Sequence, residues 1–288
     1  MYVVSKVVLA VVPPATFVLI RYVVAVPILL VMFRLTHDRG FQRRDWGALA
    51  LTSLVGFGVS LLAQFAGTKL STAAAGALIT SATPAFIAVF AWLLLREAAS
   101  SKQWTGLALA TVGVLVVTLA GDQPTTDQAT NPLLGNLLLI VAAVTWALYS
   151  VQVKLLTRTY SALAVTLGVT AIGIPIVAPV SAIELQTQSI GVITLPVLLG
   201  ILYVGIGSTA IAFFLWNKSF ELLDAASASL FFFAQPVVGV LLSALFLNQQ
   251  LQLSFFAGGG LILIGALLGM RAPRRETSTL KPIGVEKT

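Results

Sequence analysis

The residues of this sequence that could do chemistry are few, and most of them are uncharged. Inside apolar stretches stand Arg21, Gln64, Thr80, Ser81, Thr83, Trp146, Tyr149, Tyr203, Trp216, Asn217 and Gln235. With no cysteine in the chain, a disulfide, a thiolate metal ligand and a thiol nucleophile are all excluded. The single histidine, His37, lies in a basic stretch and reads as solvated. No Asp or Glu occupies the centre of an apolar run, so the carboxylate proton carrier common inside membranes is missing. The paired acids or His-based ligand sets that membrane hydrolases and metalloenzymes need are missing too. The expectation is therefore a protein without catalytic residues, metal site or cofactor.

Arg21 is the one charged residue well inside a run. A charge at the bilayer centre costs at least about 2.5 kcal/mol. Its guanidinium therefore snorkels outward, pairs structurally, or faces a wet cavity where it could hold a substrate carboxylate. The amides of Gln64 and Gln235 must face protein or water, where they could bond a neighbouring helix or a solute. Trp146, Tyr149, Tyr203 and Trp216 fit an interfacial belt or an aromatic pocket for a planar or apolar solute. Pro84 and Pro236 each remove a helical hydrogen bond and free a carbonyl, which makes them candidates for hinges or for static bends.

What must position these residues follows from composition. Of 288 residues, 58% are hydrophobic and 9% charged, against about 25% charged in a soluble domain. Apolar runs long enough to cross a bilayer as helices, about 20 residues each, recur near 16–35, 46–67, 73–95, 104–120, 133–153, 161–182, 195–217, 226–247 and 253–270. A β-barrel is disfavoured, because stretches such as Gly106 to Ala120 lack period-two alternation. Residues 1–12 are apolar but too short to span.

The net charge of +7 would suggest nucleic acid or acidic lipid for a soluble chain, but these basic residues sit between spans and read as topology signals. Arg34, Arg39, Arg43 and Arg44 place the connection after the first full span in the cytoplasm. Alternation then puts Arg96, Lys102, Lys154, Arg158, Lys218 and the tail with Arg271, Arg274 and Arg275 on the same side. Opposite them fall Lys6, Lys69, Asp122, Asp127 and Glu184. The C-terminus is expected inside, with residues 271–288 a disordered basic tail.

An internal repeat organises the spans. Pro84 and Pro236 are 152 residues apart, as are Gly106 and Gly258, and Gly113 and Gly265. Ala73 to Ala77 falls on Ala225 to Ser229 at the same offset, and Lys69 falls on Glu221. The connection around Arg34 to Arg44 is basic, whereas its counterpart around Glu184 to Ser189 has no Lys or Arg, so equivalent connections lie on opposite sides. The expectation is an inverted repeat, residues 1–121 and 133–270, of a kind associated with alternating access. The second half opens with a full helix, Leu133 to Val153; the first offers only Met1 to Ser5 before Lys6, so its first helix is expected to be largely missing.

These features resemble the EamA-type branch of the drug/metabolite transporter superfamily. The resemblance is carried by Val3 to Lys6, Pro13-Pro14, Arg21-Tyr22, the Ala-rich entry to Pro84, Leu94 to Glu97, and Gly106 with Gly113. In the second half it rests on Trp146-Ala147 leading to Lys154, the stretch from Ala225 to Pro236, and Gly258 to Gly265. It departs where Asn248-Gln249 replaces the acidic residue usual after the second proline helix. The resemblance implies an all-α, ten-helix membrane protein of two inverted five-helix halves. It also implies a carrier or exporter of small metabolites such as amino acids, nucleobases or drug-like amphiphiles, in the cytoplasmic membrane. The expected partners are the bilayer and a small-molecule solute rather than nucleic acid, with the oligomeric state open. The competing readings are a non-transporting scaffold or subunit and a membrane-embedded enzyme.

Overall fold

A computed structural model describes residues 2–36, 38, 40–71, 76, 79–120, 130–234 and 253–270. Among these, all regular structure is helical. The physical reason is that an apolar solvent offers no hydrogen bonds to the backbone, so each spanning segment must satisfy its own N–H and C=O groups. The helices are α1 (Tyr2–Leu9), α2 (Pro14–Thr36), α3 (Arg43–Leu70), α4 (Thr83–Leu95), α5 (Ser101–Ala120), α6 (Pro132–Leu156), α7 (Ala162–Thr187), α8 (Leu195–Leu222), α9 (Ala225–Ser229, continued by a 3-10 turn Leu230–Phe233) and α10 (Leu253–Met270). Of these, α2, α3, α6, α7 and α8 are long and apolar enough to cross a membrane.

Local sequence signals set several starts. Asn131 caps α6 by accepting from Leu134 N at 3.2 Å, with Pro132 at the first helical position. Ser161 caps α7 through Ala164 N, and Asp224 caps α9 through Ser227 N. Ser100 and Gln103 form a reciprocal capping box before α5: Gln103 N donates to Ser100 Oγ, and Ser100 N donates to Gln103 Oε1.

Two expected elements are revised. The run at 73–95 is not one kinked helix: helical residues 79–80 end in a turn at 81–82, and α4 starts afresh at Thr83. Pro84 therefore sits in the first turn of a helix, where its missing N–H interrupts no bond. Pro236 and Gln235, like His37, lie outside the described residues. The second revision is that three helices leave the α register. Leu54–Ser60 of α3, Ala91–Leu95 of α4 and Tyr203–Ala212 of α8 are π-helical. The π stretches of α3 and α8 occupy matching positions at the 152-residue offset.

The helices pack antiparallel in two groups. In the main group α2 lies along α7, α3 along α6, and the π stretch of α8 against α2. Its core holds Phe17, Tyr22, Phe57, Phe65, Tyr149 and Phe220, all buried. At one end Glu184 of α7 accepts Thr16 N of α2 at 3.0 Å, and Lys69 Nζ donates to Gln188 Oε1 at 2.8 Å. At the other end Tyr160 donates to Asp45, Ser161 to Asp38, and Ala162 N to Glu221. The bond to Asp45 pushes the Tyr160 phenol above its usual pKa.

The second group is the pair α5 and α10, joined through glycines. A Cβ on Gly106 would stand 2.5 Å from Gly265 O, and one on Gly265 would stand 2.6 Å from Gly106 O. A Cβ on Gly113 would stand 2.6 Å from Gly258 O. Backbones this close tolerate no side chain, the close-packing solution available where lipid supplies no hydrophobic drive between helices. Gln103 Nε2 ties the start of α5 to Asp224 Oδ1 at 2.8 Å, and Glu97 accepts Ala225 N.

Thermal unfolding in detergent checks this packing. Gly113→Ala is expected to lower stability by about 1–3 kcal/mol through overpacking. Gly259→Ala, which meets nothing within 4 Å, is expected to leave stability unchanged or raise it by about 0.5–1 kcal/mol.

Candidate functional site

Two adjacent residues of α2 reach the two π stretches. Arg21 and Tyr22 are both fully buried, 0% exposed. Tyr22 Oη donates to Phe57 O, inside the π stretch of α3, at 2.5 Å. Arg21 Nε donates to Thr209 Oγ1, inside the π stretch of α8, at 2.7 Å. Thr209 in turn donates to Val204 O, five residues back, at 2.7 Å. A π turn displaces carbonyls from their α-helical partners. Here two such displaced regions become the anchoring points for α2.

The Arg21 guanidinium lies over two rings, its Cζ 5.3 Å from the Phe65 centroid and 5.1 Å from the Phe213 centroid. A desolvated cation–π contact is worth about 2 kcal/mol. Two of them only partly offset the several kcal/mol that burying an ion costs. Neither terminal nitrogen, Nη1 or Nη2, has a hydrogen-bond partner among the described residues. Of the readings open to Arg21, snorkelling does not fit and structural pairing does: the side chain is buried in the interior with its Nε bonded to Thr209.

From Phe213 an aromatic row continues away from Arg21. Trp146 stands 5.0 Å from Phe213 and 4.7 Å from Tyr149, with Trp216 at 6.5 Å on its other side. Phe57 contacts both Tyr149 and Phe213. Hydrogen bonds fix the row's polar tips. Tyr149 Oη donates to Asn217 Oδ1 at 3.0 Å, Asn217 Nδ2 to Thr166 Oγ1 at 2.9 Å, and Trp216 Nε1 to Ser150 Oγ at 3.2 Å. These residues combine aromatic surface with a guanidinium that has two unmatched nitrogens, the groups that a planar or apolar body and an anion would meet.

The structure thus brings together Arg21, Trp146, Tyr149 and Trp216 among the sequence candidates, with Asn217 behind them. Gln64, Thr80, Thr83 and Tyr203 make other contacts or none among the described residues. Gln64 is half-buried beside Phe65 on α3, and the Thr80 hydroxyl turns back to Gly76 O at 2.6 Å. Tyr203 is 47% exposed on the surface of α8. Thr83 opens α4 with its hydroxyl buried and unpartnered among the described residues. Sequence reasoning missed Thr209, Phe65 and Phe213, as well as the buried unpartnered oxygens of Ser5 and Gln152. An apolar run contains many Thr and Phe, and nothing in its pattern marks which of them an Arg elsewhere will meet.

Comparison with known proteins places the chain in a family and matches its fold. The model of the EamA-like transporter family matches residues 1–119 and again 133–271. The "Uncharacterized transporter YetK" of Bacillus subtilis is 28% identical over 274 residues, covering 93% of this chain and 81% of its own. A "Probable biotin transporter" of Pseudomonas aeruginosa is 29% identical over 253 residues, covering 86% and 85%. A solved crystal structure superposes with a TM-score of 0.75 at 19% identity over 93% of this chain and 91% of its own, a likeness of fold.

Thr209→Val removes the acceptor for Arg21 Nε and is expected to cost about 1–3 kcal/mol by leaving a buried charged donor unmet. Thr209→Ser, which keeps the hydroxyl, should retain most of that stability. The paired unfolding midpoints in detergent check it.

Proposed function

This chain belongs to the EamA-like transporter family, and from that premise we propose that it is a secondary transporter that exports small organic solutes by alternating access between two inverted halves. That it is a multi-pass membrane protein of a transporter family rests on the family match and on the long apolar helices. The mechanism, direction and solute are the proposal.

The observation that carries it is a reciprocal contact. Gly106 touches Gly265 and Gly113 touches Gly258. Adding 152 to a residue of α5 and subtracting 152 from its partner on α10 turns one pair into the other. Two antiparallel helices that exchange in this way are related by a two-fold axis perpendicular to both. For spanning helices that axis lies in the membrane plane, the symmetry of inverted repeats. The same exchange applies to α2 and α7, which pack antiparallel: Tyr22 lies against Gly173, and the image of that pair is Arg21 with Ile174. Arg21 and Tyr22 thus sit at the level of the axis, where inverted-repeat carriers place their solutes.

The π stretches of α3 and α8 fall at equivalent positions on either side of this axis. They give each half a segment whose backbone register can change at modest cost, and α2 holds both. A carrier of this design presents the Arg21 and Trp146 region alternately to the two sides. The relative whose name refers to biotin supports small organic solutes as the cargo class.

The proposed sidedness puts the Tyr160 end in the cytoplasm, since Arg34, Arg43, Arg44, Arg96, Lys102 and Arg158 gather there. The cytoplasmic membrane is the proposed location, with the C-terminus inside.

Two measurements test the proposal. Purified protein in liposomes is expected to show saturable, solute-selective flux across a metabolite panel, with Trp216→Ala or Gln235→Ala changing selectivity or rate; unsaturable or absent flux over a broad panel would overturn it. Because the chain has no cysteine, single substitutions report topology cleanly. Ser189→Cys should react with a membrane-impermeant maleimide in intact cells, whereas Thr159→Cys should react only after permeabilisation.

A further inference from the structure

We infer that the transported solute carries a carboxylate, and that Arg21 binds it end-on through Nη1 and Nη2 while the row running from Phe213 to Trp146 receives an apolar or planar body. This rests on the reading of the chain as a transporter and specifies the chemistry of its solute.

The argument begins with what Arg21 already has. Its Nε is committed to Thr209, and its Cζ lies over the Phe65 and Phe213 rings, 5.3 Å and 5.1 Å from their centroids. The remaining donors are those on Nη1 and Nη2, in a side chain that is 0% exposed, and among the described residues nothing accepts from them. The acidic side chains that might have answered this charge are engaged elsewhere. Glu184 accepts from Thr16, Glu221 from Ala162 and Lys218, Glu97 from Ala225, and Asp45 from Tyr160. Each of these lies at a helix end, so the protein supplies no acid to Arg21 among the described residues. A guanidinium whose Nε is occupied keeps one edge of two roughly parallel N–H groups unmatched. That edge matches the two oxygens of a carboxylate. A single spherical anion can satisfy it only in part.

Position and neighbours set the rest of the ligand. Arg21 lies at the level of the proposed two-fold axis. Phe213, whose ring centroid lies 5.1 Å from Arg21 Cζ, is in contact with Trp146 at 5.0 Å, and Trp146 with Tyr149 and Trp216. A solute held by its carboxylate at Arg21 has aromatic surface beside it and no second charge to meet. The class is an organic monocarboxylate with an apolar or aromatic body. A dianion or an inorganic anion is disfavoured, because the described interior offers one guanidinium and no further cation next to it.

The test uses purified full-length protein in detergent, in chloride-free HEPES buffer. Thermal unfolding is followed against matched pairs that differ only in charge, phenylacetate with phenylacetamide and indole-3-acetate with indole-3-acetamide, together with aliphatic acids and sodium chloride. Acids are expected to raise the unfolding midpoint with affinities about 10- to 100-fold above those of their amides, and chloride to have little effect. Arg21→Gln should abolish the preference for acid over amide, and Arg21→Lys should retain part of it. Equal stabilisation by acid and amide, an equal effect from chloride alone, or no effect from any acid would overturn the inference. Should Arg21→Gln fail to fold, the wild-type acid–amide comparison still decides. Liposome flux separates this inference from the transporter reading. Saturable flux of neutral solutes with acids ignored would sink the carboxylate and leave the carrier, whereas acid-selective binding without flux of any compound would do the reverse.

Discussion

The main helix group is organised around one pair of neighbouring side chains on α2. Arg21 and Tyr22 point to different partners, one to Thr209 on α8 and the other to Phe57 on α3, and both partners lie in π-helical stretches. Each buried donor left unmet costs about 1–3 kcal/mol or more, so the bonds made by Arg21 Nε and Tyr22 Oη are costly to break. The two distorted helices are therefore held to α2 by a requirement stronger than apolar contact. Lipid is as apolar as leucine, so packing alone gives little preference for one helix neighbour over another. Buried polar bonds supply that preference here.

The same economy of polar groups explains the ends of the bundle. Glutamates on a helix or in the connection after one accept the free N–H groups at the start of another, Glu184 for α2, Glu221 for α7 and Glu97 for α9. A carboxylate at a helix N-terminus satisfies orphan donors and complements the helix dipole. These contacts sit where water is available to either partner once they separate, so breaking them is cheaper than breaking the bonds of Arg21. The proposed alternating access would need a durable centre and exchangeable ends, and this distribution of polar contacts is compatible with both. The α5 and α10 pair is different again, holding together by backbone proximity at Gly106, Gly113, Gly258 and Gly265.

Much of this was legible in the sequence where a position answers to its immediate neighbours. Asn131-Pro132, Ser161 and the Ser100 to Gln103 box mark helix starts because capping is local chemistry. The long spans follow from apolar length, and the glycines at matched offsets were readable as sites of close approach. Other features were not legible. Pro84 was read as a kink within a span, whereas it opens a new helix, because whether the residues before a proline stay helical depends on what they pack against. The π stretches leave no periodic trace, since one inserted residue in a run that is apolar all round does not disturb its pattern.

Sequence alone determined that this chain is an all-helical membrane protein of the EamA-like family, since composition and apolar run length dictate solvent and secondary structure, and repeated positions identify the family. It also singled out Arg21, because a charge inside an apolar run is conspicuous wherever it ends up. Only the tertiary structure decided what that charge meets. Thr209 lies 188 residues away in sequence and Phe65 and Phe213 are ordinary members of their runs. The choice between a snorkelling arginine and a sealed one depends on whether distant helices bring an acceptor and two rings to the same point. That is a property of packing, which hydropathy does not encode.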